Sequence, residues 1–194
     1  MIAQWLAHLA FALTLFLILA SWTSSLRWRL AILAGASLVS VISIDGLSLA
    51  AYVRSLSDDL AITSLVGLVW LSLQRLGLIQ PLENRQRVLV WSVMGTLALL
   101  LYPATLGLTY FDPYRWGFNP RPMIIVVGFV TLGLLYLRSH LSALMLALAT
   151  LAFTFRIKPS ENYWDYLIDP LLALYCCGAL LVFVTRRLYR TRAG

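Results

Sequence analysis

Seven long apolar runs, separated by short polar segments, dominate the pattern of this sequence. They cover residues 2–20, 30–53, 60–73 (or 60–79 with its apolar extension), 88–110, 123–137, 141–155 and 170–185. A helix rises 1.5 Å per residue, so about 20 apolar residues cross the roughly 30-Å hydrocarbon core of a bilayer. The pattern therefore predicts an all-α integral membrane protein, a bundle of about seven transmembrane helices joined by short loops.

The fifth and sixth runs are the shortest for this purpose. Residues 123–137 and 141–155 each give about 22 Å of helix. The polar link 138–140 between them predicts a helical hairpin, with flanking basic side chains such as Lys158 reaching to the membrane surface. A bundle of six helices, with this region re-entrant, is the alternative.

Composition supports a membrane environment. Of the 194 residues, 61% are hydrophobic and 12% are charged, and the mean hydropathy is +0.84. A soluble domain usually has about a quarter charged residues, because it must cover its core with polar surface. No long linker divides the chain, so we expect residues 1–194 to form a single polytopic domain.

The positions of the basic residues along the chain are more informative than the net positive charge. The net charge is +7, but most basic residues flank apolar runs singly or in pairs. The one dense cluster lies in the tail and consists of Arg186, Arg187, Arg190 and Arg192. Such a cluster at a helix end suits anionic lipid head groups. We therefore expect membrane lipids as partners, and no nucleic acid.

The same residues predict an orientation, because Lys and Arg accumulate on the cytoplasmic side of membrane proteins. One set of alternate loops, together with the tail, carries ten basic residues, and the other set carries five. The N-terminus is thus expected outside and the C-terminus in the cytoplasm of a bacterial inner membrane. The first run lacks a basic segment before it, which favours an uncleaved helix over a signal peptide.

Two loops predicted on the outer side hold most of the candidate chemistry. Their charged candidates are Asp112, Arg115, Arg121, Glu161, Asp165 and Asp169. A short interfacial helix before the last span would place Glu161, Asp165 and Asp169 on one face, at i, i+4 and i+8. Three such carboxylates could bind a divalent cation or act as general acid and base on a lipid-linked substrate.

Helix capping is the competing and favoured interpretation of these acids. An Asp-Pro pair starts a helix well, because Asp accepts hydrogen bonds from free N–H groups and Pro fits the first turn. Asp169-Pro170 would open the last helix, and Asp112-Pro113 a short turn ending at Gly117. Ser160 would cap the interfacial segment, and Asp58 or Asp59 the third helix.

Asp45 is the one acid inside an apolar run. If residues 30–53 form one helix, Asp45 lies in the outer half of the bilayer, with Ser48 and Tyr52 on the same face. An Asp at a helix centre costs about 2.5–3.5 kcal/mol, so we expect it to point inward beneath the outer loops. It would be a structural group, neutral or paired with Arg115 or Arg121, or a carboxylate that contacts substrate or transfers protons.

No cofactor or metal ion is expected. Cys176 and Cys177 are adjacent within an apolar run, and His8 and His140 are the only histidines. The chain has no phosphate-binding loop and no hydrolase or metalloprotease motif. We favour a non-catalytic accessory, assembly or immunity-type partner of another cell-envelope membrane protein. An enzyme acting on a lipid or lipid-linked substrate at the outer leaflet is the alternative, and a transporter or channel is the third.

Overall fold

The computed structural model describes residues 2–192, and side chains from residue 4 to residue 189. This part of the chain is helical, with 76% helix and 2% strand. The helices are α1 (Ile2–Leu19), α2 (Leu26–Val41), α3 (Leu49–Ser57), α4 (Ile62–Leu76), α5 (Asn84–Thr105), α6 (Arg121–Tyr136), α7 (His140–Thr154), α8 (Trp164–Leu167) and α9 (Pro170–Arg192). Two 3-10 turns, Ala20–Trp22 and Pro113–Phe118, and a two-stranded hairpin complete the described structure.

Within residues 2–192, three helices are long and apolar enough to cross a membrane. These segments are Gln4–Trp22, Asn84–Thr105 and Pro170–Tyr189. The shorter apolar helices are Ile62–Leu76, Arg121–Tyr136 and His140–Thr154. The all-helical class is confirmed, and these lengths are consistent with membrane insertion. Seven spans stay a prediction.

The helices pack mainly in pairs around one buried cluster. Helix α1 packs on α2 and α4, α7 packs on α4 and α6, and α5 packs on α9. Met94 of α5 and Met145 of α7 lie fully buried in the cluster. Gly67 of α4 faces the Met145 side chain, and a Cβ atom added at position 67 would lie 3.8 Å from the end of that side chain. His8 and Ser40 join α1 to α2 through a side-chain hydrogen bond of 3.3 Å.

The prediction of one helix over residues 30–53 is wrong. Helix α2 ends at Val41, and a hairpin of β1 (Ser43–Ile44) and β2 (Leu47–Ser48) leads into α3. Asp45 and Gly46 form its turn, with φ of +49° and +84°. Positive φ at both positions is typical of a type I′ turn, for which Asp-Gly is a preferred pair. Asp45 is therefore exposed at a turn and does not point inward from a helix.

The short helix expected before the last span is α8, which has only four residues. Glu161 precedes it, Asp165 lies within it, and Asp169 follows it. The predicted common face of these three carboxylates is therefore wrong. Trp164, Tyr166 and other apolar residues of this segment are buried.

Candidate functional site

Two loops pack against each other at one end of the helices. They are the 106–120 loop, between α5 and α6, and the 155–169 loop, between α7 and α9. The indole N–H of Trp164 donates to the carbonyl of Pro113 at 2.8 Å, and the side-chain amide of Asn162 donates to the carbonyl of Tyr114 at 3.1 Å. Trp164 and Asn162 are each 1% exposed. These bonds make the two loops one structural unit.

Gly117 is a point of close approach between the two loops. Its carbonyl accepts a hydrogen bond of 3.0 Å from the backbone N–H of Tyr163. A Cβ atom at position 117 would collide with the side-chain oxygen of Asn162 and lie 2.9 Å from Cδ1 of Trp164. Only glycine allows this approach without moving the Asn162 side chain.

Asp169 connects the 155–169 loop to two helices. One carboxylate oxygen accepts a hydrogen bond of 2.8 Å from the backbone N–H of Leu172, which caps α9 as predicted. The other oxygen accepts hydrogen bonds from the backbone N–H of Ala61, at 2.9 Å, and from the hydroxyl of Ser64. Asp169 therefore also caps the start of α4.

That cap replaces the one predicted from the local sequence. Neither Asp58 nor Asp59 caps α4: the Asp58 carboxylate accepts from the backbone N–H of Asp59, and Asp59 forms an ion pair of 2.6 Å with Arg54. The two acids instead stabilise the link between α3 and α4. Local spacing could not reveal a capping group that comes from the other end of the chain.

Lys158, the only lysine in the sequence, is buried beside Asp169. It is 5% exposed, and its ammonium donates to the carbonyls of Asp59 at 2.9 Å, Leu60 at 3.2 Å and Asp165 at 2.7 Å. Burial lowers its pKa from the ordinary 10.5, and the nearby aspartates oppose this effect in part. Lys158 thus ties the 155–169 loop to the chain just before α4.

Asp165 and two tyrosines complete the polar contacts. The Asp165 carboxylate accepts hydrogen bonds from the hydroxyls of Ser160 at 2.5 Å and Tyr114 at 3.4 Å. Burial, with a smaller effect of the Asp165 charge, raises the pKa of Tyr114. The Tyr166 hydroxyl donates to the carbonyl of Lys158 at 2.7 Å, and burial raises its pKa as well. Both hydroxyls therefore stay protonated donors at neutral pH.

A pocket of about 590 Å³, which we call the loop pocket, opens beside these groups. The link between α3 and α4, the end of α5 and both loops form its walls. Its polar lining residues are Ser57, Asp58, Asp59, Tyr102, Thr105, Tyr114, Lys158, Ser160, Asp165 and Asp169. The structure therefore brings together two of the sequence candidates, Asp165 and Asp169. Sequence reasoning did not propose Lys158, Tyr102 or Tyr114, although a single lysine in a chain rich in arginine was a visible signal.

The remaining candidates lie outside the described lining of the loop pocket. Asp112 starts the 3-10 turn and accepts a hydrogen bond of 3.1 Å from the backbone N–H of Tyr114, as predicted. Arg115 and Glu161 are exposed on the two loops, and Arg121 is exposed at the start of α6. Asp45 lies at the hairpin turn described above. The expected pairing of Asp45 with Arg115 or Arg121 is absent from the ion pairs found within the described residues.

Hydrogen bonds within the protein hold the two main charged side chains of the site in place. Asp169 and Lys158 are buried, and each makes several hydrogen bonds to backbone groups or to a hydroxyl. Within residues 2–192, no group of three or more His, Cys, Asp or Glu side chains is arranged to hold a metal ion. No known protein family, no curated protein and no solved structure matches this chain.

Proposed function

We propose that this chain is a non-catalytic accessory or assembly partner of another cell-envelope membrane protein. One observation carries the proposal: the 106–120 loop presents large apolar side chains beyond the helix ends. The exposed residues are Leu106, Leu108, Tyr110, Phe111, Trp116 and Phe118. Large exposed apolar side chains on one loop are typical of an interaction site. Aromatic anchors of this kind carry much of the binding energy in protein interfaces.

The loop is also held in place, which suits a docking surface. Its other face is joined to the 155–169 loop through Trp164 and Asn162. On the exposed face, Phe111 packs edge-on against Trp116, with 5.0 Å between ring centroids. A surface that is ordered before binding loses less conformational entropy when the partner docks.

The polar groups support the non-catalytic side of the proposal. Asp169 accepts hydrogen bonds from backbone N–H groups at two helix starts, and Lys158 donates to backbone carbonyls. These bonds stabilise the fold. A general acid or base must instead be able to reach a proton on a substrate. The capping interpretation thus accounts for these two groups without chemistry.

The proposal places the chain in a bacterial inner membrane with about seven spans. Helices α1, α2, α4, α5, α6, α7 and α9 would cross it, and the 106–120 and 155–169 loops would lie outside. Labelling of single cysteines, after replacement of Cys176 and Cys177, tests this orientation. Exposed positions 119 and 161 should react in intact cells, and exposed position 84 only after permeabilisation. Labelling of position 84 in intact cells would contradict the proposed orientation and indicate the opposite one.

Co-purification in mild detergent followed by mass spectrometry tests the partner. We expect one membrane protein in stoichiometric amount with the wild type, and its loss with Phe111→Ala and Trp116→Ala. Trp22→Ala is the matched control, because Trp22 is 80% exposed but follows α1, far along the chain from the loop. Recovery of the wild type without a stoichiometric protein, or equal recovery with all three variants, would refute the proposal.

The loop pocket favours a second candidate, an enzyme acting on a lipid-linked substrate at the outer leaflet. Its volume of about 590 Å³ lies in the range of small-molecule sites, and Asp58, Asp165 and Tyr114 border it. This candidate predicts that Asp165→Asn abolishes the function of the protein in cells while the folded protein accumulates normally. The accessory proposal predicts that the same variant keeps its function in cells.

A further inference from the structure

A second cavity, which we call the α1 groove, runs along the first helix. It has a volume of about 270 Å³ and lies between α1, α3 and the start of α4. Leu6, Ala10 and Ile18 mark its course on α1, and Val53 and Leu65 border it from α3 and α4. Its lining is almost entirely apolar.

The length of the α1 groove fits one lipid chain. Leu6 and Ile18 are twelve residues apart, which corresponds to about 18 Å along the helix axis. One leaflet of a bilayer is about 15 Å deep, half of the hydrocarbon thickness. An extended acyl chain in the α1 groove would therefore run from one membrane surface through its leaflet.

The α1 groove meets the loop pocket at a polar junction. Ser57, Asp58 and Asp59 line both cavities. Asp59 is engaged by Arg54, whereas Asp58 is exposed with its carboxylate at the junction. An apolar groove and a polar pocket thus adjoin at these three residues, an arrangement that suits an amphiphile.

The net charge around this junction determines which lipid head groups are attracted to it. Four aspartates line the two cavities, against one arginine and one lysine, so the formal excess is two negative charges. The arginine is paired with Asp59, and the lysine donates to backbone carbonyls. A positively charged group is therefore attracted to Asp58, and an anionic head group is repelled.

We propose that the α1 groove and the loop pocket bind a phospholipid, with one acyl chain in the groove and the ammonium of its head group at the carboxylate of Asp58. The site selects zwitterionic lipids that carry an amine over anionic lipids. This inference goes beyond the accessory role. It rests on the orientation proposed above in one respect, which is the leaflet that supplies the lipid. Binding is a property of the isolated chain, so loss of the partner proposal would leave it intact.

Lipid binding by the purified, delipidated full-length protein tests the proposal. The probes are phosphatidylethanolamine and phosphatidylglycerol with identical acyl chains, measured by native mass spectrometry in detergent. We expect phosphatidylethanolamine to bind more tightly, and Asp58→Asn to reduce that preference by about two- to five-fold, as for one exposed ion pair. Glu83→Gln removes an exposed charge elsewhere and should leave the preference unchanged.

A second pair of variants tests the groove itself. Ala10→Phe fills the α1 groove and should weaken binding of both lipids, whereas Leu9→Phe changes the neighbouring, 41% exposed position and should not. Thr14→Phe fills the groove from an exposed position and replaces Ala10→Phe if that variant does not fold. Equal affinity of the wild type for the two lipids, an unchanged preference in Asp58→Asn, or full binding by the folded groove variants would overturn the proposal.

Discussion

The carboxylate of Asp169 caps the start of α4 by accepting a hydrogen bond of 2.9 Å from the backbone N–H of Ala61, which lies 108 residues earlier in the chain. The same side chain caps α9, which it precedes directly. One carboxylate therefore joins the first half of the chain to its last helix. Because Asp169 is only 6% exposed, water cannot easily replace it at either helix.

Asp169→Ala should lower the free energy of unfolding by about 1–4 kcal/mol. A single cap contributes about 0.5–2 kcal/mol, and this side chain serves two helices. Thermal or denaturant unfolding in detergent measures the effect. Glu161→Gln, in an exposed position of the same loop, should change stability by less than about 0.5 kcal/mol. Equal stability of the two variants would show that the Asp169 contacts do not stabilise the fold.

Gly117→Ala should separate the two loops. The added Cβ would collide with Asn162, and such overpacking costs about 1–3 kcal/mol. Gly133→Ala is the matched control, because its added Cβ meets no atom within 4 Å and alanine favours the helix α6. We expect unfolding measurements to show loss of stability only in Gly117→Ala. A neutral Gly117→Ala would contradict the close loop contact.

Lys158 should make stability depend on pH. Burial lowers its pKa in the folded state below 10.5, so the folded protein binds fewer protons there than the unfolded chain. The free energy of unfolding should therefore rise with pH between the folded pKa and 10.5, and this contribution is lost as pH falls through the folded pKa. Subtracting the unfolding curve of Lys158→Met isolates the effect. A difference that does not vary with pH would contradict it.

Lys158→Met should also be less stable than the wild type by about 1.5–3 kcal/mol near neutral pH, because three carbonyls lose a charged donor. Amine acylation tests the burial directly, since Lys158 is the only lysine. Mass spectrometry should find this side chain protected in the folded protein and modified after denaturation. Rapid acylation of the folded protein would mean that the ammonium is accessible.

The hairpin turn gives a further prediction. Asp45→Asn should change stability by less than about 0.5 kcal/mol, because Asn-Gly suits a type I′ turn as well as Asp-Gly does. Gly46→Val should cost about 1–3 kcal/mol, because a β-branched residue is strained at a φ of +84°. Unfolding in detergent compares the two variants. A neutral Gly46→Val would favour the continuous helix predicted from the apolar run.

The helical content and most helix positions were predictable from the sequence. Six of the seven apolar runs correspond to the helices α1, α4, α5, α6, α7 and α9. The prediction of one helix failed for the remaining run, residues 30–53, because its hydrophobicity hid the Asp45-Gly46 turn, although that pair is itself a hairpin signal. The Asp112-Pro113 and Asp169-Pro170 starts were also predictable, since a cap and the helix it serves are adjacent in sequence.

The candidate site depended on the tertiary structure. The sequence indicated two polar loops and their acids, but not that Asp169 would cap α4 or that Lys158 would lie against the carbonyl of Leu60. Hydrophobic periodicity and capping are local properties, whereas these contacts join residues about a hundred positions apart. Chain packing alone decided that Asp169 also caps α4, and that Asp58 remains exposed where the two cavities meet.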